Sequence, residues 1–152
     1  MSLKGIKHGI YGGLAGGLVF GVLMGMMGML PMIGNMVGIP SATAGFFVHM
    51  VISAIIGAKF AVLLGWVASR VRGGLGPGLV YGLAWWMLGP LTLMPVFMGM
   101  GWGVNWNVAA MAQALPSLMG HLIFGAILGV SYWWLQTRTG ERSVPNSAAK
   151  AA

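Results

Sequence analysis

Two histidines are the residues of this sequence whose type and spacing could do chemistry. His49 and His121 each lie in a long apolar run, where an ionisable side chain is costly and is expected to face the protein interior with a partner. The segment 49–57 (HMVISAIIG) recurs as 121–129 (HLIFGAILG), with histidine, alanine, isoleucine and glycine kept at the same spacing. The sequence therefore predicts two imidazoles at matching positions of a duplicated element.

Small residues flank both histidines four positions before and four positions after. These are Gly45 and Ser53 around His49, and Ser117 and Gly125 around His121. Residues four apart on a helix share a face, so each imidazole is predicted to border a shallow recess. A flat macrocycle, an ion or another backbone would fit such a recess. Two recesses that face each other would form a bis-histidine site.

Methionine indicates which ligand such a site would prefer. Thioethers are concentrated in the apolar runs and loops near the predicted outer face: Met24, Met26, Met27, Met29, Met32, Met36, Met94, Met98 and Met100, with Met50 and Met119 adjoining the histidines. Imidazole and thioether, without thiolate or carboxylate, favour copper and above all Cu(I). The sequence thus predicts a metal site formed by His49, His121, Met50 and Met119.

Haem b held by two axial histidines is the alternative cofactor. Axial histidines from facing helices are a common way to hold haem iron. The propionates would emerge where the sequence supplies Asn35, Asn105, Asn107 and tryptophan N–H groups but no Arg or Lys. A third interpretation needs no ligand, because the histidines could bond to backbone or Asn groups while methionine fills irregular apolar gaps.

Lys59 is the only Lys or Arg inside the apolar runs, and no acidic residue lies in them. One interpretation is that its long side chain extends inward, toward Trp66 and Arg70, to reach the membrane surface. The alternatives are a contact with a solute or anion along a permeation path, or a neutral lysine in a buried site.

Catalytic motifs are not recognisable in the sequence. The patterns G-x-x-x-x-G-K-[ST], H-E-x-x-H and G-x-S-x-G do not occur, Glu141 is the only acidic residue, and there is no cysteine. We therefore expect a non-enzymatic protein, unless the chain is a small subunit of a redox complex.

Composition defines the elements that must position these residues. The chain of 152 residues is 58% hydrophobic and only 6% charged, so lipid is its expected solvent. A helix needs about 20 apolar residues to cross a bilayer, and four stretches qualify: 8–30, 44–69, 74–98 and 116–136. The predicted fold is an all-α integral membrane protein, a single domain over 1–152 that ends in a polar, mobile tail at 137–152.

Positive charge marks one side of the membrane. The Lys and Arg residues outside the apolar runs lie before the first run, between the second and third, or after the fourth: Lys4, Lys7, Arg70, Arg72, Arg138, Arg142 and Lys150. This positive-inside pattern predicts that both termini are cytoplasmic, in a bacterial inner membrane. It also accounts for the net charge of +7 without nucleic acid as a partner.

An internal duplication relates the two halves of the chain. Residues 17–30 and 78–91 are identical at seven of fourteen positions, which, with the histidine segments, predicts two helical-hairpin repeats at about 8–69 and 74–136. Each repeat has two spans, so both enter the membrane in one orientation, and the histidines are expected at equal depth near the outer face. The alignment offset grows from 61 to 72, so the second outer connection, at 99–115, is longer by eleven residues.

Glycine recurs at every fourth position from Gly5 to Gly25. Spacing of the GxxxG type lets membrane helices approach closely, and it predicts either packing within the chain or an interface between copies. Three functions stay open. The chain could bind a metal or metallocofactor, act as a small channel or facilitator for a neutral or anionic solute, or serve as a structural or assembly subunit of a larger membrane complex.

Overall fold

The computed structural model describes residues 3–139, and within that range the chain is helical and contains no strand. Four helices are long and apolar enough to cross a membrane, which confirms the predicted number of spans. They are α1 (Leu3–Met26), α3 (Ala42–Arg70), the composite third span (Leu75–Phe97) and α7 (Leu115–Arg138). The polar tail predicted from residue 137 begins inside α7, and its remainder at 140–152 lies outside the described residues.

The third span is interrupted in its second half. It begins as α4 (Leu75–Leu88), passes through a π-helical turn (Gly89–Leu93) and ends as α5 (Met94–Phe97). Pro90 and Pro95 lack the N–H that a regular helix needs, and the wider turn accommodates them, with the Met94 N–H bonded to the Gly89 carbonyl five residues earlier.

Two short helices lie in the longer connections. They are α2 (Leu30–Asn35), between α1 and α3, and α6 (Val108–Gln113), between α5 and α7. We call the bundle end that carries α2 and α6 the loop end, and the opposite end, where residues 71–74 join α3 to α4, the turn end. Side chains cap the first turns of α3 and α6. The Ser41 hydroxyl accepts from the Ala44 N–H, and the Asn107 side-chain oxygen accepts from the Ala110 N–H.

The first span occupies 3–26 rather than the predicted 8–30. Gly28 has a φ of 68°, a left-handed conformation that ends the helix and sends the chain back over the bundle as α2. The other three spans agree with the predicted ranges to within two residues at each end. The apolar run places the end of the first helix four residues too late because Leu30 is buried under the loop end without belonging to the span.

Helix α1 is the centre of the packing, since it contacts both α3 and α7 while α4 packs on α7. Gly9 and Gly13 lie against the α3 backbone at Gly57, where an alanine Cβ would overlap backbone atoms. Gly12 and Gly16 face α7 at Leu128 and Phe124 in the same way. The glycine-rich faces of α1 are therefore used inside the chain. Helices α3 and α4, by contrast, touch each other little.

Aromatic side chains fill the turn-end half of the bundle. Phe60 is fully buried and lies edge-on to Tyr81 at 5.1 Å and to Tyr132 at 5.5 Å between ring centroids. Buried side-chain hydrogen bonds continue toward the turn end. The Gln136 side-chain NH2 donates to the Tyr132 hydroxyl at 2.9 Å, and the His8 Nδ1–H donates to the Gln136 Oε1 at 3.0 Å. The cavity described below lies in the other half of the bundle, toward the loop end.

Candidate functional site

His49 is held by the backbone of the neighbouring helix. It is buried on α3, and its Nε2 lies 2.9 Å from the Gly17 carbonyl of α1, with the Ser53 hydroxyl at 3.5 Å. A carbonyl can only accept a hydrogen bond, so Nε2 carries the proton in this contact. The neutral imidazole then keeps a lone pair on Nδ1.

His121 is held by its own helix. Its Nδ1 lies 2.7 Å from the Ser117 carbonyl, one turn earlier on α7. The same reasoning puts the proton on Nδ1 and leaves the lone pair on Nε2. That atom points toward the π-helical turn, 3.6 Å from where a Cβ on Gly89 would lie, and it has no hydrogen-bond partner among residues 3–139.

Phe20 contacts both imidazoles. Its ring centroid is 5.4 Å from that of His49 and 4.8 Å from that of His121, edge-on in both cases. Gly120 makes room for this ring, because a Cβ at that position would overlap it. The two histidines therefore share one aromatic neighbour and one depth in the bundle.

Both histidines line a single cavity of about 320 Å³ in the loop-end half of the bundle. Five thioether side chains line the same cavity: Met24, Met29, Met32, Met36 and Met94. Ser53 and Ser117 add two hydroxyls, and the remaining walls are apolar or aromatic. The donor atoms that converge here are imidazole nitrogen, thioether sulfur and hydroxyl oxygen, without any carboxylate.

The two methionines next to the histidines in sequence lie elsewhere. Met119 is 63% exposed on α7, and Met50 is half-buried against α1 near Gly17. Neither lines the cavity. On a helix, neighbouring residues point about 100° apart, so a methionine one or two positions from an inward histidine faces away from it. A ligand in the cavity would have to take its thioethers from the other methionines.

Lys59 lies apart from both histidines. It is exposed on α3, and its ammonium is 5.6 Å from the ring centroid of Trp85, which itself lines the cavity. The predicted direction toward Trp66 is not the one observed, because Arg70 occupies that ring at 5.4 Å. The cation of Lys59 is instead directed across the α3–α4 seam to the face of an indole.

The longer second connection is bonded to the π-helical turn. The Trp106 indole donates to the Thr92 hydroxyl at 3.1 Å, and Thr92 donates in turn to the Met87 carbonyl at 2.9 Å. Asn105 donates to the Pro90 carbonyl at 3.1 Å. These bonds satisfy groups that the irregular turn exposes and fix the cavity wall that faces His121.

No cluster of three or more His, Cys, Asp or Glu side chains lies close enough to hold a metal ion within residues 3–139. A metal in this cavity would depend on thioether ligands. Phe20 and Gly120 are site residues that were not predicted from the sequence. Phe20 carried a signal, since it is the aromatic residue of the repeated G-L-V-[FY]-G element, but nothing in the pattern placed it between the histidines.

Fold and site together define a class. Over residues 3–139 it is an all-helical protein with four helices of membrane-spanning length. A cavity lined by histidine and methionine lies in the loop-end half of the bundle. No protein-family model, curated protein or solved structure matches the chain. Its function must therefore be argued from the site itself.

Proposed function

We propose that this is a non-enzymatic membrane protein that binds a soft metal ion, Cu(I) foremost, in the cavity between His49 and His121. The observation that carries the proposal is the donor set: two imidazoles and five thioethers line one cavity. Thioether and imidazole select Cu(I), whereas carboxylate and carbonyl oxygens would suit Mg, Ca or Mn.

The hydrogen bonds of the histidines support metal binding. Metal-ligating histidines usually donate their other ring N–H to a carboxylate or backbone carbonyl, which fixes the tautomer and the ring orientation. His49 and His121 each donate one N–H to a carbonyl, so each keeps one nitrogen lone pair. A monovalent ion needs little charge neutralisation, which suits a cavity built from neutral donors.

The proposed ligands are the His121 Nε2 and cavity thioethers, with His49 as the second imidazole. Met94 follows the π-helical turn that faces His121, and Met24 lies on α1 one turn beyond Phe20. These methionines take the role that the sequence analysis gave to Met50 and Met119. Methionine is flexible, so its sulfur can move to an ion without displacement of the backbone.

Haem b is the less favoured occupant. Iron between two axial histidines needs the macrocycle against both imidazoles, and the Phe20 ring already lies edge-on to both, so it would compete with a macrocycle for that space. The cavity, about 320 Å³, is also at the small end of the range for ligand pockets of about 300–1,000 Å³.

A channel or facilitator is less favoured for a different reason. Phe60 and Leu128 are fully buried on the turn-end side of the cavity, and Tyr81 and Tyr132 pack around them. A solute would have to displace this cluster to continue through the bundle. A cavity closed on that side fits a carrier, or a small subunit that passes metal or electrons to a partner.

The two-repeat architecture is part of the proposal, and the glycine contacts support it. Gly9 meets Gly57 and Ala61 as Gly74 meets Gly129 and Trp133. Gly13 meets Ser53 and Gly57 as Gly78 meets Gly125 and Gly129. The second helices keep the offset of 72, but the first helices match at 65 rather than 61, one helical turn away from the sequence alignment.

We further propose that the turn end is cytoplasmic, in a bacterial inner membrane. Lys4, Lys7, Arg70 and Arg72 all lie at that end of the described chain, as the positive-inside pattern requires. The cavity then faces the periplasmic half of the bilayer. A homo-oligomer or larger complex would have to form without the α1 glycine faces, which pack inside the chain.

Cu(I) titration against a competing chelator tests the proposal. The purified full chain is expected to bind Cu(I) stoichiometrically. His121→Ala should weaken binding by at least about tenfold, because loss of even an outer-shell partner of a metal ligand costs about 10–100-fold. Met94→Leu should also weaken it. Met119→Leu, on the same helix as His121 but outside the cavity, is the matched control and should change nothing.

Two results would reject the metal site. One is a purified protein that binds no more Cu(I) than a blank containing the detergent without protein. The other is full Cu(I) affinity in the double variant His49→Ala with His121→Ala, which would mean that copper binds elsewhere. An absorption spectrum of the same preparation distinguishes haem, which would give a Soret band.

A further inference from the structure

Lys59 is a cation far from either end of its helix. It lies eleven residues before Arg70, which is about 16 Å along the helix axis at 1.5 Å per residue. The other described Lys and Arg residues lie in the first two turns of α1, at the ends of α3 and α7, or in the turn that follows α3. An ionisable side chain inside a membrane span marks a functional site for which a partner must be identified.

Nothing in the described chain neutralises this charge. Residues 3–139 contain no Asp or Glu, and the ammonium makes no hydrogen bond within that range. Its contact is the face of Trp85, at 5.6 Å from the ring centroid. An indole attracts a cation through its quadrupole but leaves the net charge in place, so an anionic ligand would be strongly favoured here.

The surroundings of the ammonium are apolar and accessible from the side of the bundle. Lys59 is exposed at the seam where α3 and α4 touch little. Ile56, one turn toward the loop end, and Trp85 both line the cavity. Exposed apolar residues share these helix faces: Ile55 and Leu63 lie four positions either side of Lys59, and Leu88 lies three positions after Trp85. A charged group at Lys59 would therefore be covered by hydrocarbon rather than by water.

We infer that the α3–α4 seam binds a single-chain anionic amphiphile, of the fatty-acid class, whose carboxylate pairs with Lys59. The ligand enters laterally from the bilayer, its carboxylate lies beside the Trp85 indole, and its chain follows the apolar seam. Charge complementarity and depth select this occupant. A diacyl phospholipid keeps its headgroup at the membrane surface, near the depth of Arg70, about 16 Å away along the helix.

This site does not depend on the proposed metal site. His49 is ten residues from Lys59, about 15 Å along the axis of α3. Lys59 contributes no donor to the cavity that holds the thioethers. Variants at the two sites are therefore expected to act separately.

Equilibrium binding of radiolabelled palmitate to the full chain in phosphatidylcholine nanodiscs tests the inference. We expect saturable binding, with empty nanodiscs as the background. Lys59→Met should weaken it about tenfold or more, as loss of a charge-assisted hydrogen bond does. Lys59→Arg, which keeps the charge, should retain most of the affinity. Methyl palmitate, which has the chain without the charge, should bind wild type no better than it binds Lys59→Met.

Arg70→Met is the matched control, since Arg70 also stacks on an indole, that of Trp66 at 5.4 Å, but at the end of the span. It should leave palmitate binding unchanged. Size-exclusion profiles would verify that the variants fold. If Lys59→Met does not fold, the comparison of Lys59→Arg with methyl palmitate binding to wild type still tests whether the charge pair is needed. Equal palmitate affinity in wild type and Lys59→Met would overturn the inference. So would equal competition by phosphatidylglycerol, which would assign the charge to lipid headgroups.

Discussion

At the scale of single residues, the chemistry of the cavity depends on which histidine nitrogens are already hydrogen-bonded. The His49 Nε2 and the His121 Nδ1 are bonded to carbonyls, so each ring has one remaining nitrogen with a fixed direction. Phe20 packs edge-on against both rings, and the absence of a side chain at Gly120 makes room for Phe20. A donor set arranged in this way needs little reorganisation when it binds a ligand.

Glycine contacts give a residue-scale prediction. An alanine Cβ at Gly125 would overlap the backbone of Gly78 on α4, so Gly125→Ala must push α4 and α7 apart. Overpacking of this kind costs about 1–3 kcal/mol, which exceeds the gain of up to about 1 kcal/mol from higher helix propensity. We expect Gly125→Ala to have a lower free energy of unfolding than wild type, measured by circular dichroism during titration with SDS.

Gly76→Ala is the control for this prediction. Gly76 lies on the same helix as Gly78, but a Cβ there would meet nothing within 4 Å. This variant should be as stable as wild type or slightly more stable, because alanine favours the helix. If both variants lose the same stability, close glycine packing is not what holds α4 against α7.

The sequence located the two histidines and the methionine-rich region, but not which methionines turn inward. The distinction depends on the break at Gly28 and on the π-helical turn at Gly89–Leu93. The break folds α2, with Met32 and Met36, over the cavity, and the turn changes the direction in which Met94 points. Neither effect follows from hydrophobic periodicity, because both arise where the periodic helix is interrupted.

At the scale of elements, number and length of the spans followed from the apolar runs, whereas helix register did not. A glycine stripe with a period of four also matches itself after a shift of one turn, and the sequence identities over 17–30 favoured the offset of 61 over the offset of 65. The backbone contacts do distinguish them, because Gly13 and Gly78 make the same approach. Register in such helices is decided by the side chains between the glycines and by the connections.

The two hairpins also differ at the loop end. With the offsets of 65 and 72 that the glycine contacts give, the second connection is longer by seven residues rather than the predicted eleven, and Asn105 and Trp106 within it bond to the π-helical turn. The first hairpin has no π-helical segment, and α2 covers its side of the cavity. Two related halves thus close one cavity with different elements.

At the scale of the whole molecule, four membrane-length helices enclose a closed aromatic half and an open cavity half. The proposed orientation puts the cavity half toward the periplasm. The chain has no cysteine, so single cysteines report sidedness without background. We predict that Trp102→Cys, at the loop end, reacts with a membrane-impermeant maleimide in intact cells.

Val71→Cys, in the turn between α3 and α4, is the counterpart. It is exposed and should react only after the membrane is permeabilised, because the positive charges around it are expected to stay in the cytoplasm. If Val71→Cys is labelled and Trp102→Cys is protected in intact cells, the topology is the reverse of the proposed one. The cavity would then lie in the cytoplasmic half of the bilayer.

The most direct test of the proposed metal site is X-ray absorption spectroscopy of the Cu(I)-loaded protein at the copper edge. We predict a first shell that contains both thioether sulfur and imidazole nitrogen, and weaker imidazole scattering in His121→Ala, in which His49 is the remaining imidazole. A shell of oxygen and nitrogen alone, or a spectrum unchanged by His121→Ala, would contradict a metal site in the cavity between the two histidines.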